Sequence, residues 1–244
     1  TDTSNNVYIG AQTFLQGIQK FDSSGNFITK WGERGDGDGQ FNNTPARMAI
    51  SPSGKLYASD PGNDRLQIFD LSGNFISAWD HVYDPRGIAF DSSGSMYVSA
   101  FDNEKVQKYD SAGTFLMDWG GFGSGDSQFY TPNGIAVDSN NHVYVVDGDN
   151  HRIQKFDSSG NFLSKWGSQG SGDGEFYHPA QIAVDSLDNI YVTEGGRIHK
   201  FDSSGNFLAM WSAPGHYYIA VDSADHVLIG VINPPRIRKY ASGN

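Results

Sequence analysis

The chain has 244 residues, 37% of them hydrophobic and 14% aromatic, with 30 glycines, no cysteine and a formal net charge of -11. That charge repels a phosphate backbone, so no nucleic acid is expected as a partner, and the absence of cysteine excludes disulfides and thiol chemistry. No run reaches the roughly 18 apolar residues of a membrane span, and many Asp-Ser and Ser-Gly pairs speak for short strands joined by tight turns over helices.

In chain order, the first organising feature is the phrase Ile18-Gln19-Lys20-Phe21-Asp22-Ser23-Ser24-Gly25-Asn26-Phe27, which returns almost verbatim from Ile153 to Phe162. Its aromatic anchor falls at Phe21, Phe69, Tyr109, Phe156, Phe201 and Tyr240, with spacings of 48, 40, 47, 45 and 39 residues. Periods of this size with several strands each are those of propeller blades. We therefore expect an all-β fold, a six-bladed β-propeller of four-stranded antiparallel blades, forming one domain over 1–244. The copies run approximately 1–41, 42–80, 81–129, 130–176, 177–212 and 213–244.

The fourth copy shows the four strands of a period most clearly: a at Ile135 to Val137, b at Val143 to Val146, c at Ile153 to Phe156 and d at Phe162 to Trp166. Strand b is apolar at consecutive positions, which suits a strand covered on both faces by neighbouring blades. Asp138-Ser139-Asn140-Asn141 and Asp157-Ser158-Ser159-Gly160-Asn161 read as hairpin turns, where Asp bonds the turn backbone and Gly or Asn takes a positive φ. Copy one begins at strand b, Val7 to Ile9, and copy six stops after strand c at Tyr240. This gives 22 strands where six full blades have 24. The incomplete terminal blades lead us to expect a segment of a longer chain, or strand exchange or assembly that covers the open edges.

Trp31, Trp79, Trp119, Trp166 and Trp211 each close a d strand, and five equivalent positions are explained as packing between blades. Three d-to-a links carry a glycine-rich insert ending in phenylalanine, at Gly35 to Phe41, Gly123 to Phe129 and Gly170 to Phe176. Their acids lack the spaced bidentate glutamate of an EF-hand loop, so no metal is expected there.

At the b-to-c link the fourth copy reads Asp147-Gly148-Asp149-Asn150-His151-Arg152-Ile153, after Pro132-Asn133-Gly134-Ile135-Ala136-Val137-Asp138 upstream. This resembles the NHL repeat, and the resemblance implies a six-bladed propeller. Only this copy keeps the full Asn-His-Arg turn. We read the Arg as a partner for the acid ending strand b, as with Asp60, Asp147 and Glu194.

The resemblance leaves function open, because such propellers include RNA-binding domains, extracellular sensor domains, and lyases of the peptidyl-amidating and virginiamycin types. The leading reading is a non-enzymatic binding or scaffold module engaging a protein, a peptide or a small anionic ligand through the face of the b-to-c and d-to-a loops, with no cofactor. The alternative is a metal-dependent lyase or hydrolase, whose zinc ligands would be His81, His178 and His216 in or near d-to-a links. Their unequal offsets from strand a favour polar loop residues instead. Residues just before strand a should gather at one channel mouth and form a ligand site of Arg47, Arg86, Asn133, Gln181, Tyr217 and Tyr218, the two arginines clamping an anion. Ser- and Asn-rich repeats without cysteine suggest an extracellular or cell-surface setting.

Overall fold

The computed structural model describes residues 1–11, 17–42, 45, 47–80, 82–213, 216–231 and 236–241, without the side chains of Ala11, His216, Tyr217, Val231 and Arg236. Among the described residues there are 22 strands. The first sheet holds β1 (Val7–Ala11), β2 (Gly17–Phe21) and β3 (Phe27–Trp31). The second holds β4 (Met48–Ile50), β5 (Leu56–Asp60), β6 (Arg65–Phe69) and β7 (Phe75–Asp80); the third β8 (Pro85–Phe90), β9 (Met96–Ala100), β10 (Lys105–Tyr109) and β11 (Phe115–Gly120). The fourth comprises β12 (Pro132–Val137), β13 (Val143–Asp147), β14 (Arg152–Phe156) and β15 (Phe162–Trp166), and the fifth β16 (Pro179–Val184), β17 (Ile190–Glu194), β18 (Arg197–Phe201) and β19 (Phe207–Ser212). The last holds β20 (His216–Val221), β21 (Val227–Val231) and β22 (Arg236–Tyr240). These are the blades of a six-bladed β-propeller, three-stranded at the first and last, as expected.

Contacts divide the chain into two compact units, Thr1–Asn103 with Gln107–Met117, and Glu104–Val106 with Asp118–Asn244. In the second unit β12, β16 and β20, the a strands of successive blades, pack against one another, and in the first β4 packs on β8. Strands β5, β9, β13 and β17 are buried at every position, as two-sided cover requires, whereas the d strands β15 and β19 alternate between half-buried and exposed.

The turns follow from side chains acting on their own backbone. Asp138 Oδ1 accepts from the backbone N–H of Asn140 (2.9 Å) and His142 (2.8 Å), while Oδ2 accepts from the Tyr144 hydroxyl (2.8 Å). Burial penalises this carboxylate, yet the His142 and Tyr144 donors outweigh that cost and hold it below its usual range; burial and the same bond push the Tyr144 hydroxyl far above its own. Asp2, Asp91 and Asp185 build the same turn with Tyr8, Tyr97 and Tyr191, so residues 2–6 take the form of the a-to-b turns.

The tryptophans fill the seams between blades. Trp166 lies edge-on to Tyr144 of its own blade (6.0 Å between ring centres) and tilted against Phe201 of the next (5.9 Å), and Trp31 repeats this with Tyr8 and Phe69. Trp31, Trp79, Trp119 and Trp166 also cover the c-to-d turn glycine of the following blade, so that a Cβ built on Gly205 would come within 2.6 Å of Trp166. These glycines therefore serve close approach as well as positive φ.

Candidate functional site

The face carrying the b-to-c and d-to-a loops is built on a buried ion pair. Arg152 opens β14 opposite Asp147 at the end of β13, and its Nε donates to Asp147 Oδ2 at 2.7 Å, both side chains being almost wholly buried. Nη1 donates to the carbonyl of Ser124 (2.8 Å) and Nη2 to those of Gly125 (2.7 Å) and Gln128 (2.9 Å) in the preceding d-to-a insert. Gln154 adds a bond to the Gln128 carbonyl (2.7 Å) and accepts from the Ser127 N–H. One planar cation thus fixes two loops far apart in sequence, a task suited to the fork geometry of arginine. Arg65, Asp60, Gln67 and the 37–40 loop repeat the device in the second blade. The inserts close on themselves: Gln40, Gln128 and Glu175 accept from the N–H of Gly37, Gly125 and Gly172. Their carbonyls thus serve arginines, and among the described residues no group of three metal-ligating side chains gathers anywhere.

The fifth blade departs from this plan. His199 stands where Gln67 and Gln154 stand, fully buried, with no hydrogen-bond partner on either ring nitrogen. Its Nε2 lies 3.3 Å from Glu194 Oε2 without hydrogen-bond alignment. Burial and the Arg197 charge, opposed by Glu194, hold its pKa below the usual histidine value. Arg197, paired with Glu194 at 2.6 Å, reaches only one carbonyl of its insert, that of Ser171.

Above these clamps the loop tips expose aromatic rings. Tyr83, Tyr130 and Tyr177 occupy one equivalent position, each following a buried residue, Val82, Phe129 or Phe176. Phe122 is 70% exposed and packs edge-on against Tyr130 at 5.2 Å. The Tyr130 carbonyl accepts from the Asp149 N–H, and the Asp149 carboxylate lies 3.4 Å from His178 Nδ1. The His178 ring stands 5.6 Å from that of His151, whose Nδ1 bonds the Tyr177 carbonyl.

A family profile for the NHL repeat matches residues 129–156, from the buried Phe129 through the Arg152 clamp to the anchor Phe156. The chain is thus a six-bladed β-propeller that carries an NHL repeat in its fourth blade. The propeller is also similar in structure to a streptogramin B lyase, 14% identical, over 99% of this chain and 80% of that one, with a TM-score of 0.67. A protein of unknown function from Bacteroides caccae is 10% identical over 97% of this chain and 90% of that one (TM-score 0.69), and virginiamycin B lyase from Staphylococcus aureus 14% identical over 99% and 82% (TM-score 0.63). At such identities the fold is what is shared. No curated protein matches the chain in sequence.

The residues expected at a channel mouth distribute over both units of the propeller. In the first unit Arg47 is tied through its backbone to Ser59, its N–H donating to Oγ at 2.7 Å. Arg86 lies in a β-bulge between Pro85 and Ile88, its Nη2 donating to Asp84 Oδ2 at 3.0 Å, its Nε 3.0 Å from Oδ1 but outside hydrogen-bond alignment, and its guanidinium over the Phe101 ring at 4.6 Å. That guanidinium already faces a carboxylate. In the second unit Gln181 Nε2 donates to the Ala180 carbonyl (2.7 Å) and approaches Asn133 Oδ1 at 3.4 Å, so these two residues do meet. Tyr218 pairs across the strands with Gly230, which leaves room for its ring; the Tyr217 side chain lies outside the described residues. Of the three candidate histidines, His81 and the His216 side chain also lie outside them, and His178 keeps company with His151 and Asp149.

Neither the aromatic tips nor Asp149 stood among the expected site residues. The tyrosines were findable, since they recur at one repeat position, but nothing local marks Phe122 as exposed.

Proposed function

We propose that this propeller is a non-enzymatic binding module that engages a protein or peptide through the face of its b-to-c and d-to-a loops. The observation carrying this reading is the pairing of a rigid base with exposed rings: Arg152 and Asp147 immobilise the loop backbones, and Phe122, Tyr130 and Tyr177 stand exposed on them. Exposed aromatics on a preformed scaffold are what binding hot spots use, because little conformational freedom is lost on association. Panning a random peptide library on the propeller tests it. Enriched peptides should lose most of their affinity for a Tyr130→Ala/Tyr177→Ala variant and keep it for Leu163→Ala on an outer strand. Peptides that bind the double variant as well as the parent would place the binding surface elsewhere.

A second reading, a lyase, draws on the named lyases among the structural neighbours and on the adjacent imidazoles of His151 and His178 beside Asp149, a set able to move protons. Incubation with a streptogramin B, with and without added zinc, and chromatography of the product distinguish it. Consumption that stops in His178→Ala supports the enzyme, and an unchanged substrate with or without metal rejects it.

A further inference from the structure

We propose that the surface formed by Phe122, Tyr130, Asp149 and Tyr177 binds a cationic peptide, receiving a lysine or arginine side chain against the aromatic faces and the Asp149 carboxylate. This rests on the binding-module reading and supplies the partner's chemistry.

Three features of the surface argue for positive charge. The rings are 70%, 44% and 50% exposed at Phe122, Tyr130 and Tyr177, and among the described residues no Lys or Arg lies over any of them. The chain fills such positions elsewhere with its own cations, Lys155 lying 5.0 Å from the Tyr144 ring centre and Lys200 5.4 Å from that of Tyr191. The open rings are the same kind of receptor left for a ligand from outside.

The carboxylate balance points the same way. Asp149 retains 35% side-chain exposure, and its described partner, His178 Nδ1 at 3.4 Å, is a long contact that a better-placed ammonium or guanidinium displaces. Asp173 stands exposed on one flanking insert and Asp126, on the other, is paired with Lys165 at 2.6 Å, while the arginines of these loops are spent internally, Arg152 on Asp147 and Arg197 on Glu194. A chain of net charge -11 adds a long-range attraction for basic segments and repels acidic ones. The Arg86 guanidinium, facing Asp84, offers an anion no comparable welcome.

The probe is a fluorescein-labelled Gly-Lys-Arg-Gly-Lys-Arg-Gly peptide, compared by anisotropy with an acetyl-lysine and citrulline version and with a glutamate version. The basic peptide should bind about tenfold or more tightly than the neutral one and weaken as salt rises; the glutamate peptide should not bind. Phe122→Ala, Tyr130→Ala and Asp149→Asn should each weaken binding about three- to tenfold with unchanged melting temperature, and Leu163→Ala should leave it intact. Equal binding of basic and neutral peptides, or basic-peptide binding untouched by the three variants, overturns the cationic assignment. If panned peptides bind this face and the basic peptide does not, this assignment fails alone. If substitutions on the face affect no peptide of any charge, the binding-module reading fails with it.

Discussion

Replacing Arg152 by methionine tests whether the loop face is held by its buried cation. The substitution leaves Asp147, wholly buried, without its charge partner and strips the Ser124, Gly125 and Gln128 carbonyls of a donor. Breaking a buried pair from one side costs about 3–5 kcal/mol. Two facts pull the value to the low end. Asp147 keeps donors from the Tyr130 N–H (2.8 Å), Asn150 (3.0 Å) and Gln154 (3.0 Å), and Ser124 and Gly125 are exposed, so water can replace the lost bonds. We expect about 3 kcal/mol, read as a shift in urea unfolding followed by the fluorescence of Trp119 and Trp166. Arg197→Met, in a pair 22% exposed on the arginine side with one carbonyl bond, should cost only about 1–2 kcal/mol. An Arg152→Met loss below about 1 kcal/mol, or an Arg197→Met loss as large, would refute the claim that burial and carbonyl capture set the value.

Three further predictions follow from the repeat. Gly25→Ala and Gly205→Ala carry the same positive-φ cost of about 1 kcal/mol, but Gly25 has open space and Gly205 meets Trp166 at 2.6 Å, so Gly205→Ala should lower the urea midpoint distinctly more; equal losses would remove the tryptophan from the explanation. His199→Gln restores the residue of the second and fourth blades and should stabilise by about 1 kcal/mol. Because the folded pKa of His199 is depressed, its neutral form favours folding above the unfolded value near 6.5, and that stability is lost as pH falls through the folded pKa. Glutamine should erase this loss, and identical pH profiles would show that His199 is not its source. Finally, Asp91 and Asp138 are held below the usual carboxylate range by turn donors that outweigh burial, and Asp222 by Lys239 together with its turn donors, so their stability is present above about pH 4 and lost as pH falls through their folded values, with Asp84, raised by burial, opposing. Asp138→Asn should flatten the acid limb of stability against pH, and a limb unchanged in slope would show that these turns do not govern it.

The blade count and strand register were legible because they rest on short-range chemistry. A turn aspartate binds partners two to six residues away, and strand b declares its two-sided burial by an unbroken apolar run. Even the arginine–acid pair could be read, its partners being opposite residues of one hairpin, Asp147 and Arg152. The site was less accessible. Asn150 meets Gly123, Arg152 meets Ser124 and His151 meets Tyr177 across 26 to 28 residues, and the offset of His178 from strand a carries nothing about where its ring turns. The placement of Arg86 beside Asp84, in the bulge after Pro85, is likewise not written in the local sequence. Which residues form strands and turns is written in the chain, since those are satisfied within one repeat. The tertiary structure alone decided which side chains meet or stay exposed on the loop face, because that depends on the direction each takes when loops from different blades converge.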